Sequence, residues 1–266
     1  MAELPVALQG GLIFVFGCLF GSFGNVVIYR LPKGQNIAWP GSHCQSCQAA
    51  VRWYDNIPIL SWILLRGKCR QCQAPFSIRY PIVEGLMGLL FLASFLKFGL
   101  SWFLLEVLIF TFCAVVASFI DLDHMILPNQ LTLSGIVIGL IGAFLNPERE
   151  FLPAFLGVLV GGGFLWAIAY FYFAIRKQEG MGGGDIKLIA WIGALLGWSA
   201  IPFVILASSL FGSLIGLSIV VKSKGDMKSV IPFGPYLVLG AFLYLFFGVE
   251  ISEWYLDLFI PGLSDS

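Results

Sequence analysis

Trp102-Phe-Leu-Leu-Glu-Val-Leu-Ile-Phe-Thr-Phe-Cys-Ala-Val-Val-Ala-Ser-Phe-Ile120 runs straight into Asp121-Leu-Asp-His-Met-Ile-Leu-Pro128. The apolar part is close to the roughly 20 residues that a helix needs to cross a bilayer. Carboxylates at the end of such a run stand where charge is expensive, so they are functional candidates by default. Comparable runs recur on both sides, over 4–27, 81–98, 131–145, 151–175, 186–198, 201–221 and 232–249. The runs 131–145 and 186–198 are short, and each follows a polar, acid-bearing segment. Their helices are expected to begin in that segment, with the polar turn facing protein or water. The pattern predicts an all-α polytopic membrane protein of about eight transmembrane helices, or seven if one short run does not cross.

Composition agrees. Of 266 residues, 59% are hydrophobic and 11% charged, and the mean hydropathy is +0.91. Soluble domains carry roughly 25% charged residues, and a single soluble core has no room for this much apolar surface. Lipid is therefore the expected surrounding. A formal net charge of +0, without a basic cluster interleaved with aromatics, argues against nucleic acid as a partner. The first run lacks a basic leader and a small-residue cleavage pattern, and reads as a retained helix rather than a secretory signal. With a periplasmic N-terminus, every Lys and Arg except Lys97 and Arg149 falls on the cytoplasmic side, including Lys222, Lys224 and Lys228. The chain then divides into a first helix (1–29), a small cytoplasmic domain (30–80), a membrane body (81–249) and a short acidic tail (250–266) with Glu250, Glu253, Asp257 and Asp265.

The cytoplasmic segment carries Cys44-Gln-Ser-Cys47 and Cys69-Arg-Gln-Cys72. Two C-x-x-C pairs at this separation have the layout of a zinc ribbon, in which four thiolates close a tetrahedral shell around one structural ion. Paired disulfides conflict with a reducing cytoplasm, and a redox role lacks a βαβ setting. Cys18 and Cys113 lie inside apolar runs and read as packing residues.

The acids form the second set. Asp185 closes Gly180-Met-Gly-Gly-Gly-Asp185 just before an apolar run. Gly182, Gly183 and Gly184 remove side-chain bulk where the backbone turns into the helix, permit φ above zero and let an extended peptide approach the main chain. Asp185 itself can serve as an ordinary N-cap, or share a proton with a second carboxylate so that the pair activates a water. Asp121 and Asp123 differ by about 200° around a helix, so only one can face Asp185, and the residues alone leave the choice open. Glu84, just inside the second run, needs a partner, either Arg79 or a backbone group. Gly17, Gly21 and Gly24, with Ser22 and Asn25, give the first helix a small-residue face suited to close helix contact.

These motifs, in this order, resemble those of the bacterial type IV prepilin peptidases. The resemblance rests on Gly21-Ser-Phe-Gly-Asn-Val-Val-Ile-Tyr-Arg-Leu-Pro32, the four cysteines, Asn56-Ile-Pro58, Arg79-Tyr-Pro81 with Glu84, the 121–128 segment and the 180–188 segment. It implies a membrane aspartic endopeptidase of the G-x-G-D type in the bacterial inner membrane. Such an enzyme cleaves the basic leader of prepilins or pseudopilins after glycine, and many also methylate the new N-terminal amine with S-adenosylmethionine. It implies Asp121 and Asp185 as the catalytic pair, Cys44, Cys47, Cys69 and Cys72 as Zn2+ ligands, and an active site on the cytoplasmic side. Lys68, after Gly67, and Glu84 are candidate supporting residues. The chain departs from the family pattern at Gly24, Asn129 and Ser134, where Leu, Asp and Pro are common. The rival reading is a proton-coupled transporter that uses the same acids, which would show flux and no peptide product. A scaffold with neither activity is the third.

Overall fold

The computed structural model describes residues 4–178, 181–222 and 232–259; Gly180, Lys224, Lys228 and Asp265 lie outside that set. Nine α-helices are formed among the described residues. They are α1 (Val6–Arg30), α2 (Leu60–Leu64), α3 (Arg79–Phe98), α4 (Trp102–His124), α5 (Asn129–Leu145), α6 (Phe151–Arg176), α7 (Gly183–Leu196), α8 (Ala200–Lys222) and α9 (Gly234–Phe259). There is no strand among the described residues, only two isolated bridges in the cysteine segment. All except α2 coincide with an apolar run. Five are long and apolar enough to cross a membrane, while Asn129–Leu145 and Gly234–Gly248 are shorter apolar helices. The last helix continues past the end of its apolar run, to Phe259.

The chain packs as two units, Met1–His124 and Met125–Ser266. In the first, α1 lies along α3 with almost nothing between the backbones. A Cβ on Gly17 would stand 2.8 Å from the Gly88 Cα, and one on Gly21 would stand 2.6 Å from the Glu84 Cα. This is the close contact expected of a small-residue face, since lipid offers helices no hydrophobic drive to associate and packing must supply it. Cys18 Sγ fills the notch left by Gly88. Met87, Phe91, Val107, Phe110, Val116 and Ile120 form the core where α3 and α4 meet α1.

In the second unit α7 is the central helix. Its 14 residues span about 21 Å, well short of the roughly 30 Å hydrocarbon layer. It is sheathed in protein instead, with every residue from Leu188 to Leu195 buried. Glycines admit its neighbours: Gly135 of α5 lies under the Trp191 ring, Gly139 against Ala194, and Gly157 of α6 against the backbone of Gly193. The outward faces of the long helices remain apolar, with Leu12, Val15 and Leu19 on α1 and Leu159, Phe164 and Trp166 on α6 exposed. That is the surface a lipid-facing helix presents.

Candidate active site and metal centre

The cysteine segment belongs to the first unit and is built from one motif used twice. Cys44-Gln-Ser-Cys-Gln-Ala-Ala50 and Cys69-Arg-Gln-Cys-Gln-Ala-Pro75 fold alike. In each, the first cysteine N–H donates to the alanine carbonyl (Cys44 to Ala49, Cys69 to Ala74, both 2.9 Å), and the glutamine N–H returns to the cysteine carbonyl. Gln48 and Gln73 both take φ of +59° to close the knuckle. The bridges His43–Ala50 and Lys68–Pro75 seal the two copies. All four sulfurs then lie within 4.8 Å of one another. Cys44 to Cys72 is 3.8 Å and Cys47 to Cys69 is 4.0 Å, near the ~3.8 Å edge of a tetrahedron built on Zn–S bonds of about 2.3 Å. These separations are far from a disulfide bond of about 2.05 Å. The cluster could hold a metal ion.

Electrostatics favours that occupant. Backbone N–H groups of Cys47 and Ser46 lower the Cys44 thiol to about 6. At Cys72 the Ala74 N–H pulls the same way, but burial and the neighbouring sulfurs outweigh it and push the thiol up to about 11. The first thiolate therefore forms readily and the last is opposed by its neighbours. A bound cation removes that opposition.

Outside the knuckles, Asp55 ties the segment together. It accepts from Arg70 Nε and Nη2 at 2.6–3.1 Å, and the Arg70 guanidinium holds its carboxyl below the ordinary carboxylate range. Arg30, buried at the end of α1, donates to the carbonyls of Asn36 and Gly41 and so fixes the chain leading into the first knuckle.

Glu84 finds a backbone partner. Its Oε2 accepts the Ile59 N–H at 2.7 Å. Ile59 has φ +61° and ψ −52°, and the Leu60 N–H reaches the Pro58 carbonyl at 2.6 Å. That is a γ-turn of the rare, strained hand, centred on a β-branched residue that disfavours it. Arg79 is engaged elsewhere, donating to Asp123 Oδ2 and to the Phe119 carbonyl.

This separates the two acids of α4. Asp123 is half exposed and paired with Arg79. Asp121, turned to the other side, is buried at 5% exposure. Asp185 is the third residue of α7, in its first turn, and the N-cap is Gly182. The N-cap reading of Asp185 is thereby excluded. Of the properties expected of the glycines, positive φ is not used. Gly182 has φ −69°, and none of Gly182, Gly183 and Gly184 has positive φ. Space is what matters at Gly184, where a Cβ would come within 2.8 Å of Leu127 Cβ. Lys187 Nζ donates to Asn129 Oδ1, so the start of α7 is held to the segment 127–129 at two points. Asp121 and Asp185 belong to different units.

Among the cavities that the described residues of the first unit line, two border candidate functional residues. One, of about 150 Å³, has Glu84, Asp55, Lys68, Trp62 and Tyr80 in its walls, so both candidate supporting residues border one space. The other, of about 570 Å³, extends from Cys44 and Ser46 past Ser77 to Arg79, Asp123 and His124.

The chain aligns over most of its length with curated proteins named prepilin leader peptidase/N-methyltransferase. That from Aeromonas hydrophila is 39% identical over 95% of this chain and 96% of its own length. The chain belongs to the type IV leader peptidase family. Residues 108–217 match the model of the type IV leader peptidase family itself, and residues 15–98 match that of the bacterial peptidase A24 N-terminal domain. A Xanthomonas campestris protein of the same name is 39% identical over 90% of this chain and 92% of its own. One from Myxococcus xanthus is 42% identical over 77% and 61%. No solved structure matches the chain. The helices, the cysteine cluster and the family together describe a membrane-embedded leader peptidase.

Proposed function

We propose that this protein removes the leader of type IV prepilins or pseudopilins in the bacterial inner membrane and methylates the amine it exposes. In this reading the amide bond is hydrolysed by Asp121 and Asp185. One carboxylate, ionised, takes a proton from water; the other, protonated, gives one to the departing nitrogen. Water adds to the carbonyl carbon to form the C–O bond, the C–N bond of that tetrahedral adduct then breaks, and in this reading the two carboxylates share one proton. The observation that carries the choice of Asp121 is its burial at the end of α4, where Asp123 is instead paired with Arg79. Asp185, in the first turn of α7, is assigned from the glycine–aspartate motif that it closes.

Zinc is the metal that the four sulfurs suit, since a closed four-thiolate shell leaves no open position and makes the ion structural. The methyl donor would be S-adenosylmethionine, which supplies an electrophilic methyl group. The Glu84 cavity supports that ligand: Glu84, Asp55, Arg30 and Lys68 line it beside Trp62 and Tyr80, charges of both signs and aromatic side chains for a molecule with an amino-acid head, a sulfonium and a base. The cysteine segment and the active site would face the cytoplasm, as the Lys and Arg distribution requires.

Purified protein incubated with a prepilin peptide and the donor is the test. The expected product is the shortened chain bearing one methyl on its new amine, and an Asp185→Asn protein should yield neither product. Cleavage by Asp185→Asn would remove that residue from the mechanism.

A further inference from the structure

The Glu84 cavity and the larger groove of the first unit share a wall. Asn25, Tyr29, Gln45, Phe76 and Tyr80 border both. On one side lies the small space with Glu84. On the other, the larger groove reaches Asp123 and His124 at the end of α4, the helix that carries Asp121. One end of the groove therefore reaches the last turn of that helix, and its flank adjoins the space assigned to the methyl donor.

We propose that this groove binds the N-terminal segment of the peptide after cleavage and presents its new amine, across the shared wall, to the Glu84 cavity. The inference rests on the two-step reading above. Its volume, about 570 Å³, lies within the roughly 300–1,000 Å³ of specific ligand clefts. Ile28, Tyr29, Phe76 and Tyr80 give it apolar walls for the apolar residues that head a mature pilin. Asn25, buried in the shared wall, donates through Nδ2 to the Tyr80 carbonyl at 3.2 Å, which turns its amide into a fixed polar contact for an incoming amine. Product carried this way need not leave the enzyme between the two steps.

Ser77→Trp and Lys33→Trp each fill the groove from residues that border it and not the Glu84 cavity. With full-length prepilin, both proteins should cleave within about twofold of the parent rate, and methylation per cleaved chain should fall at least about tenfold. Donor binding, measured by calorimetry with S-adenosylmethionine alone, should be unchanged. Undiminished methylation in both variants would overturn the proposal, and so would loss of methylation that merely tracks loss of donor affinity. A parent protein that neither binds the donor nor methylates would instead overturn the two-step reading itself.

Discussion

The Glu84 carboxylate holds the backbone N–H of Ile59 at 2.7 Å, and this one bond joins the membrane helix α3 to the strained turn that leads into α2. The turn exposes its amide to a half-buried space, and the carboxylate is what satisfies it. Glu84 also borders the cavity assigned to the methyl donor. In the proposed reading one side chain thus has a structural and a binding task, which substitution can separate.

Glu84→Gln retains an acceptor for Ile59 and loses the charge. Its melting temperature should stay near the parent's, its cleavage should persist and its methylation should drop. Glu84→Ala also strands the amide, at a cost of about 1–3 kcal/mol, and should melt measurably lower. Equal methylation by parent and Glu84→Gln would leave Glu84 with the structural task alone.

Glycine contacts between helices should be intolerant of a single methyl. In Gly157→Ala the new Cβ would meet the Gly193 carbonyl oxygen at a separation no real contact shows. Backbone must move, at about 1–3 kcal/mol for overpacking of this kind. Gly11→Ala, with nothing within 4 Å, should be neutral. Thermal unfolding of the two purified variants in detergent makes the comparison.

Metal should be retained by the folded protein in a one-to-one ratio and removed by a strong chelator. The quadruple Cys44/Cys47/Cys69/Cys72→Ser variant should contain none on elemental analysis, with the 30–80 segment cleaved more readily by added protease. Metal content unchanged by the four substitutions would refute the ribbon.

Asp55 provides a pH test with a defined sign. Its carboxyl is lowered in the folded state by Arg70. The pair's contribution is therefore whole above the unfolded value of about 3.9 and is lost as pH falls through the lower folded value. In an Arg70→Gln protein the Asp55 resonance should titrate nearer the ordinary range, and its stability deficit should be full at pH 7 and shrink below about pH 4. An Asp55 titration identical in the two proteins would show that the pair does not form.

The apolar runs disclosed the helices because a span of bilayer length leaves a long, unbroken signature. The cysteines disclosed the four-sulfur cluster because a knuckle is local: each closes on hydrogen bonds that reach only a few residues, as from Cys44 to Ala49. Contacts that cross the chain were not legible. Nothing in the sequence says that Arg79 meets Asp123, 44 residues away, and without that pairing Asp121 and Asp123 look alike. The Glu84 partner was narrowed to Arg79 or a backbone group, and only the turn at Ile59 decides it. Glycines 182–184 suggested both a left-handed turn and a need for space; the turn is absent, and Leu127 beside Gly184 is the neighbour, unnamed by the sequence, that takes the space.

Leader cleavage by the two α4 variants, Asp121→Asn and Asp123→Asn, reads the central assignment most directly. Each variant is incubated with the same prepilin peptide, and the shortened product is followed by mass spectrometry. Asp121→Asn is expected to form no detectable product, while Asp123→Asn, which disturbs only the Arg79 pair, is expected to keep cleaving. Product from Asp121→Asn at the parent rate would contradict the account.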